Sequence, residues 1–528
     1  MNRLLTSILV SLVAANTALQ ADPSRPRLVV GIVVDQLRSD YIDGLRELFG
    51  EKGFRRLIDN GVYLKDVDFK APVSDPTAAT ALLYTGAYPA INGISGARIF
   101  DPSTLQTRSS MFDSSVMGNS TTGTLSPVAL RVSTLADELA ADGAGLSQIF
   151  SIAPDAEQAL AMTGHAGTSA VWIDDNTGKW SSTTYYRDNA KNISRRNREN
   201  PLSARLDTMR WEPAAELTRY PDLPAQKKYY PFRYRFSEKE RDAYDRYKSS
   251  PLVNEEVTDV AIDYLTNLKL GDRGDVVDMI NVGYTAEPWP YVADGDPRLE
   301  LEDSYLRLDR QLGRLLDAID AGVGLDNTLI FLSSTGYYSD PSAYDPKYRV
   351  PTGDFSVKRA LSLLNAFLSA KYGNGQYVSA FSDGGIHLNG ETLEVKKLDP
   401  AEVSRAARDF LTQMAGVAEV RTYREILASA SAETEAMRLG IDPRTAADIY
   451  LRFTPGWNVV DDSRFPVKTY PVRDLAVSSP AFILAPGLKK ETIPQRVEAT
   501  ALTTTIANAI RIRAPNGAST RPLLLNQN

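Results

Sequence analysis

The sequence predicts an α/β protein with a mostly parallel sheet, and three observations carry that expectation. PRLVVGIVVDQLRSDYI holds an unbroken apolar run, Leu28 to Val34, that ends at Asp35. A strand that is hydrophobic at every position is buried on both faces, as in the interior of a parallel sheet. TLIFLSSTG repeats the pattern and puts small polar residues directly after the strand. Between the two, LEDSYLRLDRQLGRLLDAI carries Tyr305, Leu308, Leu312, Leu315, Leu316 and Ile319 on one helical face, with charge elsewhere. That is the pattern of a helix laid on a sheet. In open sheets of this class ligands sit at the carboxyl ends of the strands, where Asp35 lies.

The chain begins MNRLLTSILVSLVAANTALQA, with Arg3 before an apolar run from Leu4 to Ala15 and small residues up to Ala21. Residues 1–21 read as a secretory leader, too short to anchor a membrane. The remainder, 22–528, is expected to fold as one elaborated domain and to be exported, with no transmembrane span. From about Ser182 to Ser250 the composition turns rich in Arg, Tyr, Asn and Pro, as in an irregular cap over a core. Within about 376–425, GGIHLNGETLEV followed by DPAEVSRAARDFLTQMAGVAEVRTY reads strand, helix, strand, a small α+β insertion.

A length of 528 residues supports a large core, and 43% apolar with 24% charged residues describes a folded protein. The net charge of -7 gives no reason to expect nucleic acid or an anionic membrane as a partner. The absence of cysteine excludes disulfides, thiolate metal sites and a cysteine nucleophile, and there are only two histidines.

GIVVDQLRSDYI, YTGAYPAINGISG, VWIDDNTGKWSSTTYY, EDSYLRLDRQLG with TLIFLSSTG, and the closing APNGASTRPL together give a chain that resembles the alkaline phosphatase superfamily. The likeness is to its secreted bacterial phosphatases with a threonine nucleophile, near the nucleotide pyrophosphatase/phosphodiesterases, and runs from about Arg27 to Leu524. It implies a three-layer αβα core and in-line phosphoryl transfer with two zinc ions clamping the attacking and leaving oxygens.

Carried residue by residue onto this sequence, the resemblance implies a site that has lost its chemistry. Asp35 matches the first metal ligand. An ungapped count back from Tyr84 puts Pro76 at the nucleophile position, and a slide of one residue puts Thr77 there. The Asp and His that follow the next strand fall on Pro288 and Val292, the adjacent Asp-His pair on Thr335 and Gly336, and the last histidine on Thr469 or Tyr470. The phosphate contacts fall on Ala97 and, for a Lys-x-Arg pair, on Asp155 and Glu157. His165 and His387 occupy no metal position and read as hydrogen-bonded structural residues, and Asp35 as a cap for the next helix. Asp75 beside Asp35, with Asp155 and Glu157, is expected to repel a phosphate dianion.

The resulting expectation is an exported pseudophosphatase in the periplasm or cell envelope. It needs no cofactor and binds or scaffolds another envelope protein. The alternative is an active phosphoric ester hydrolase with a rearranged site, using Thr77 and zinc. A third reading takes the aromatic segments WSSTTYY and KKYYPFRYRF as a carbohydrate or peptide surface, against the commoner role of such rings in packing a cap.

Overall fold

The computed structural model describes residues 25–526 apart from 72–74, 189–190, 275, 293–294, 337, 339–351, 383, 464–466 and 473–477. The expected leader lies outside the described residues. At the centre is a ten-stranded sheet. In chain order its strands are β1 (Leu28–Asp35), β2 (Val62–Asp68), β3 (Gly118–Asn119), β4 (Ile149–Ile152), β5 (Ser169–Ile173), β6 (Trp180–Thr183), β7 (Asp278–Thr285), β8 (Thr328–Ser334), β9 (Ala481–Leu484) and β10 (Glu491–Glu498). Across the sheet they run β10-β2-β9-β8-β1-β7-β4-β5-β6-β3, so the two apolar runs of the sequence are neighbours in the middle. β1 pairs parallel with β8 and β7, bringing Val34 beside Ser334 and Asp35 beside Thr285, and β4 and β5 continue the parallel set. β9 runs antiparallel between β8 and β2.

Helices cover both faces: α1 (Pro76–Thr85), α2 (Ala156–Thr163), α3 (Leu252–Leu268), α4 (Arg298–Gly322) and α5 (Thr500–Ala509). The pleat of β1 decides which side chain goes where. Val30, Ile32 and Val34 share a core with α3 and α4, through residues such as Val257, Leu308 and Leu312. Val29 and Val33 share the opposite core with α1, α2 and α5, through Ala78, Leu82, Leu160 and Leu502. This is the three-layer αβα arrangement, and it explains why β1 is apolar from Leu28 to Val34. Each such side chain, fully buried, contributes about 1.5–3 kcal/mol. All six residues on the apolar face of α4 are buried.

After β6 the segment read as a cap holds helices Lys191–Glu199, Leu202–Leu206 and Ala243–Lys248 and a pairing of Arg210–Trp211 with Tyr234–Arg235. Strands Val378–Ser382, Gly385–Leu388 and Val417–Thr422 form a four-stranded antiparallel sheet completed by Ile449–Phe453. Helices Val357–Tyr372 and Pro400–Leu411 pack on it around a core of its own that includes Leu364, Leu368, Leu411 and Ile449. Among the described residues no helix is long and apolar enough to cross a membrane.

Candidate functional site

β1 and β8 end side by side, and the residues at their ends are bonded to each other. Asp35 is 7% exposed, and its Oδ1 accepts a hydrogen bond from Thr335 Oγ1 at 2.6 Å. The same Oγ1 accepts from the Gln36 amide at 3.0 Å, so its proton and one lone pair are both committed. Gln36 Nε2 in turn donates to Glu287 Oε2 at 3.4 Å, tying the end of β1 to the loop after β7. The helical cap expected of Asp35 is not its role. The next helix, Ser39–Gly44, has Arg38 at its N-cap and no side-chain capping bond. The left-handed Gln36, φ 58°, separates Asp35 from that helix, and the group within reach is Thr335 on the neighbouring strand end.

Gly336 follows at φ 96°, and a Cβ there would lie 2.6 Å from Phe69 Cδ2. Any side chain at this position strains the backbone and meets that ring.

α1 starts on Asp75, whose carboxylate accepts from the amides of Thr77 at 2.7 Å and Ala78 at 3.4 Å, with Pro76 at the first helical position. Asp-Pro-Thr is a strong helix start, since proline there gives up no needed N–H. It also has a chemical consequence. A helix N-terminus is a natural anion site, and here the chain's own carboxylate takes those amides. Thr77 is 2% exposed, and among the described residues its hydroxyl donates to no carboxylate or imidazole that could take its proton.

The remaining positions carried over from the resemblance are packed as ordinary structure. Pro288 is buried, and beside it Trp289 packs, tilted and edge-on, into a cluster with Tyr234 at 3.9 Å and Trp211 at 5.4 Å between ring centres. Val292 packs against the same core. Ala97 is half-buried, its carbonyl accepting from the Ser110 amide at 2.8 Å. Thr469 and Tyr470 lie on strand Lys468–Pro471, at the edge of a separate three-stranded sheet with Trp457–Asp461 and Gly353–Ser356.

Asp155 and Glu157 open α2, but not as the bare acidic pair expected. Asp155 is ion-paired with Lys248 from the cap helix, and the same ammonium pairs with Asp175. Burial works against the charge of Lys248, yet the two facing carboxylates hold its pKa above the usual lysine value. Glu157 Oε1 accepts from Ser109 Oγ at 2.6 Å, and burial pushes its carboxyl pKa up. The repulsion of a phosphate at Asp155 is thereby reduced by a lysine from a distant segment of the chain. Asp174, beside Asp175, faces away from solvent. It is buried and ties its own turn, accepting from the Thr177 amide at 2.9 Å and from Thr121 Oγ1 at 2.5 Å.

The two histidines are structural, with opposite electrostatics. His165 Nδ1 lies 3.0 Å from Asp137 Oδ2 and Nε2 lies 3.1 Å from the Leu130 carbonyl, and the bond to Asp137 raises its pKa despite partial burial. His387 Nε2 lies 2.9 Å from Ser382 Oγ, and burial lowers its pKa to about 4. Among the described residues no group of three His, Asp or Glu side chains converges as a metal site. A tightly held zinc needs several nitrogen, sulfur or carboxylate ligands. The only carboxylate among the carried-over metal positions is Asp35, already bonded to Thr335, so these residues do not fit a two-zinc centre.

Sequence reasoning missed three features: the bond between Asp35 and Thr335, the Asp75 cap and Lys248. The cap alone had a local signal, in the order Asp-Pro-Thr ahead of an apolar run.

Residues 29–473 match the family described as Type I phosphodiesterase / nucleotide pyrophosphatase. The chain is 27% identical over 521 residues to alkaline phosphatase PafA of Elizabethkingia meningoseptica, covering 94% of each chain. It is 28% identical over 523 residues to a Myroides odoratus protein named a calcium-transporting ATPase, again over 94% of each. Alkaline phosphatase PhoV of Synechococcus elongatus is 25% identical over 449 residues, 82% of this chain and 81% of its own. The crystal structure of wild-type PafA shares the fold, with a TM-score of 0.81 over 95% of this chain and 98% of that one at 23% identity. The chain belongs to the Type I phosphodiesterase / nucleotide pyrophosphatase family, within the alkaline phosphatase superfamily.

Proposed function

We propose that this protein is an exported pseudophosphatase that serves as a binding or scaffold component of the cell envelope. The observation that carries the reading is the hydrogen bond from Thr335 to Asp35, which commits the one carboxylate left among the metal positions to the protein itself. Two features support it. The amides at the start of α1 are taken by Asp75, so an incoming phosphate would have to displace a covalently tethered carboxylate. Among the described residues Thr77 has no base to accept its proton, and a threonine hydroxyl without a base or metal is a weak nucleophile at neutral pH.

The alternative is an active phosphoric ester hydrolase that uses Thr77. It is favoured by relatives, matched over 94% and 82% of this chain, that are named alkaline phosphatases. Turnover of a chromogenic phosphoester by the purified mature protein and its Thr77→Ala variant separates the two. The pseudophosphatase gives the same background rate in both. A wild-type rate that falls by roughly a hundredfold or more in the variant is the scale of removing a catalytic group and would establish the alternative.

A further inference from the structure

We infer that the tip of the cap, residues 228–235, is a docking surface for an anionic lipid membrane. Tyr229 and Tyr230 are 83% and 85% exposed, adjacent in sequence, and followed by Pro231. Lys228 and Arg235 beside them are exposed too, and among the described residues the side chain of none of these four makes an ion pair, hydrogen bond or ring contact with the rest of the chain.

The tip is held firmly from both ends. On one side Lys227 is buried, its Nζ donating to both Glu300 oxygens at 2.8 and 2.6 Å and to the Asp296 carbonyl at 2.5 Å. On the other, Phe232 is buried against Trp211, with ring centres 5.1 Å apart. The exposed rings are therefore presented on a fixed platform, which lowers the ordering entropy that binding would otherwise cost.

The charge beside the rings supplies the second observation. Residues 182–250 contain sixteen Lys and Arg against ten Asp and Glu, but Arg196, Arg205, Lys227 and Lys248 are paired with Glu256, Asp259, Asp263, Glu300, Asp155 and Asp175 from outside the segment, so the positive charge beside the rings is that of Lys228 and Arg235. An anionic bilayer is attracted to these two exposed cations, whose side chains pair with no carboxylate among the described residues. At that point two amphipathic tyrosine rings, flanked by cations, meet the headgroup region where such rings reside. The proposal concerns the cap alone and holds whether or not the strand-end site is catalytic.

The test is sedimentation of the mature protein with vesicles of phosphatidylcholine containing 30% phosphatidylglycerol, against vesicles of phosphatidylcholine alone. Binding is expected only to the anionic vesicles and to weaken with salt. Tyr229→Ser/Tyr230→Ser and Lys228→Gln/Arg235→Gln, all at exposed positions, should each reduce it, the second pair by about fivefold per cation removed. Failure of the wild type to sediment with anionic vesicles would overturn the proposal. So would binding that both double variants retain in full, or binding to soluble polyglutamate in place of vesicles, which would indicate an acidic macromolecule.

Discussion

The body of the central sheet and the ends of its strands have been shaped by different demands. In the body, Val29 to Val34 divide between two cores, and the apolar face of α4 closes over one of them. Many side chains contribute there, each by a modest amount, so the arrangement survives changes at any one point. At the ends, a few polar residues decide everything. Thr335 faces Asp35, Asp75 takes the amides of α1, and a proline and a valine stand in the loop after β7. Fold and chemistry are separable because burial stabilises the first while only a handful of residues supply the second.

This comparison is broken first by Leu312→Ala. Removing a fully buried leucine from α4 should destabilise the protein by about 2–5 kcal/mol in urea unfolding. A loss below about 1 kcal/mol would mean that the body is not held by this packing.

The histidines offer a second test, in which the sign matters. His387 is held neutral, its pKa lowered from 6.5 to about 4. Its contribution is present above the unfolded value and is lost as pH falls from about 6.5 through 4, on the order of 3 kcal/mol at most. His165 has a raised pKa, so its contribution is present below 6.5 and is lost as pH rises through the folded value. Unfolding free energies measured from pH 4 to 8 should show the acid-side slope flattened in His387→Gln and the opposite dependence flattened in His165→Gln. Unchanged slopes would remove both assignments.

Third, Gly336→His, the step that would restore a ligand type at a strand end, should destabilise by roughly 1–3 kcal/mol through its backbone alone. It should not increase zinc affinity. A stable variant that gains zinc would mean that the strand end can still be converted.

The smallest effect is expected from Asp75→Ala, about 0.5–2 kcal/mol for the lost cap. Because it uncovers the α1 amides, inorganic phosphate should raise the melting temperature of the variant more than that of the wild type. Equal shifts would mean that Asp75 does not guard an anion site.

The α/β class, the central strands and the covering face of α4 were legible because their periodicity is local. So was the scarcity of ligands, since two histidines cannot supply a histidine-rich site wherever they fold. What could not be read were contacts between distant segments. Nothing near Asp155 in sequence announces Lys248, 93 positions later, and the acidic pair therefore looked more repulsive than it is. Asp35 likewise resembled a helix cap, because the competing partner, Thr335, lies 300 positions away on a strand that becomes adjacent only in the sheet. The exposed tyrosines of the cap share their segment with the buried Phe232 and Phe236, and composition alone does not separate the two.

The central claim is that the strand ends no longer hold metal, and the most direct test is elemental analysis of the purified mature protein after exposure to zinc and removal of the loosely bound ion. One carboxylate already bonded to a hydroxyl cannot replace the set of ligands that tight binding needs, so well under one equivalent of zinc per chain is expected. Two tightly held zinc ions per chain would contradict the account.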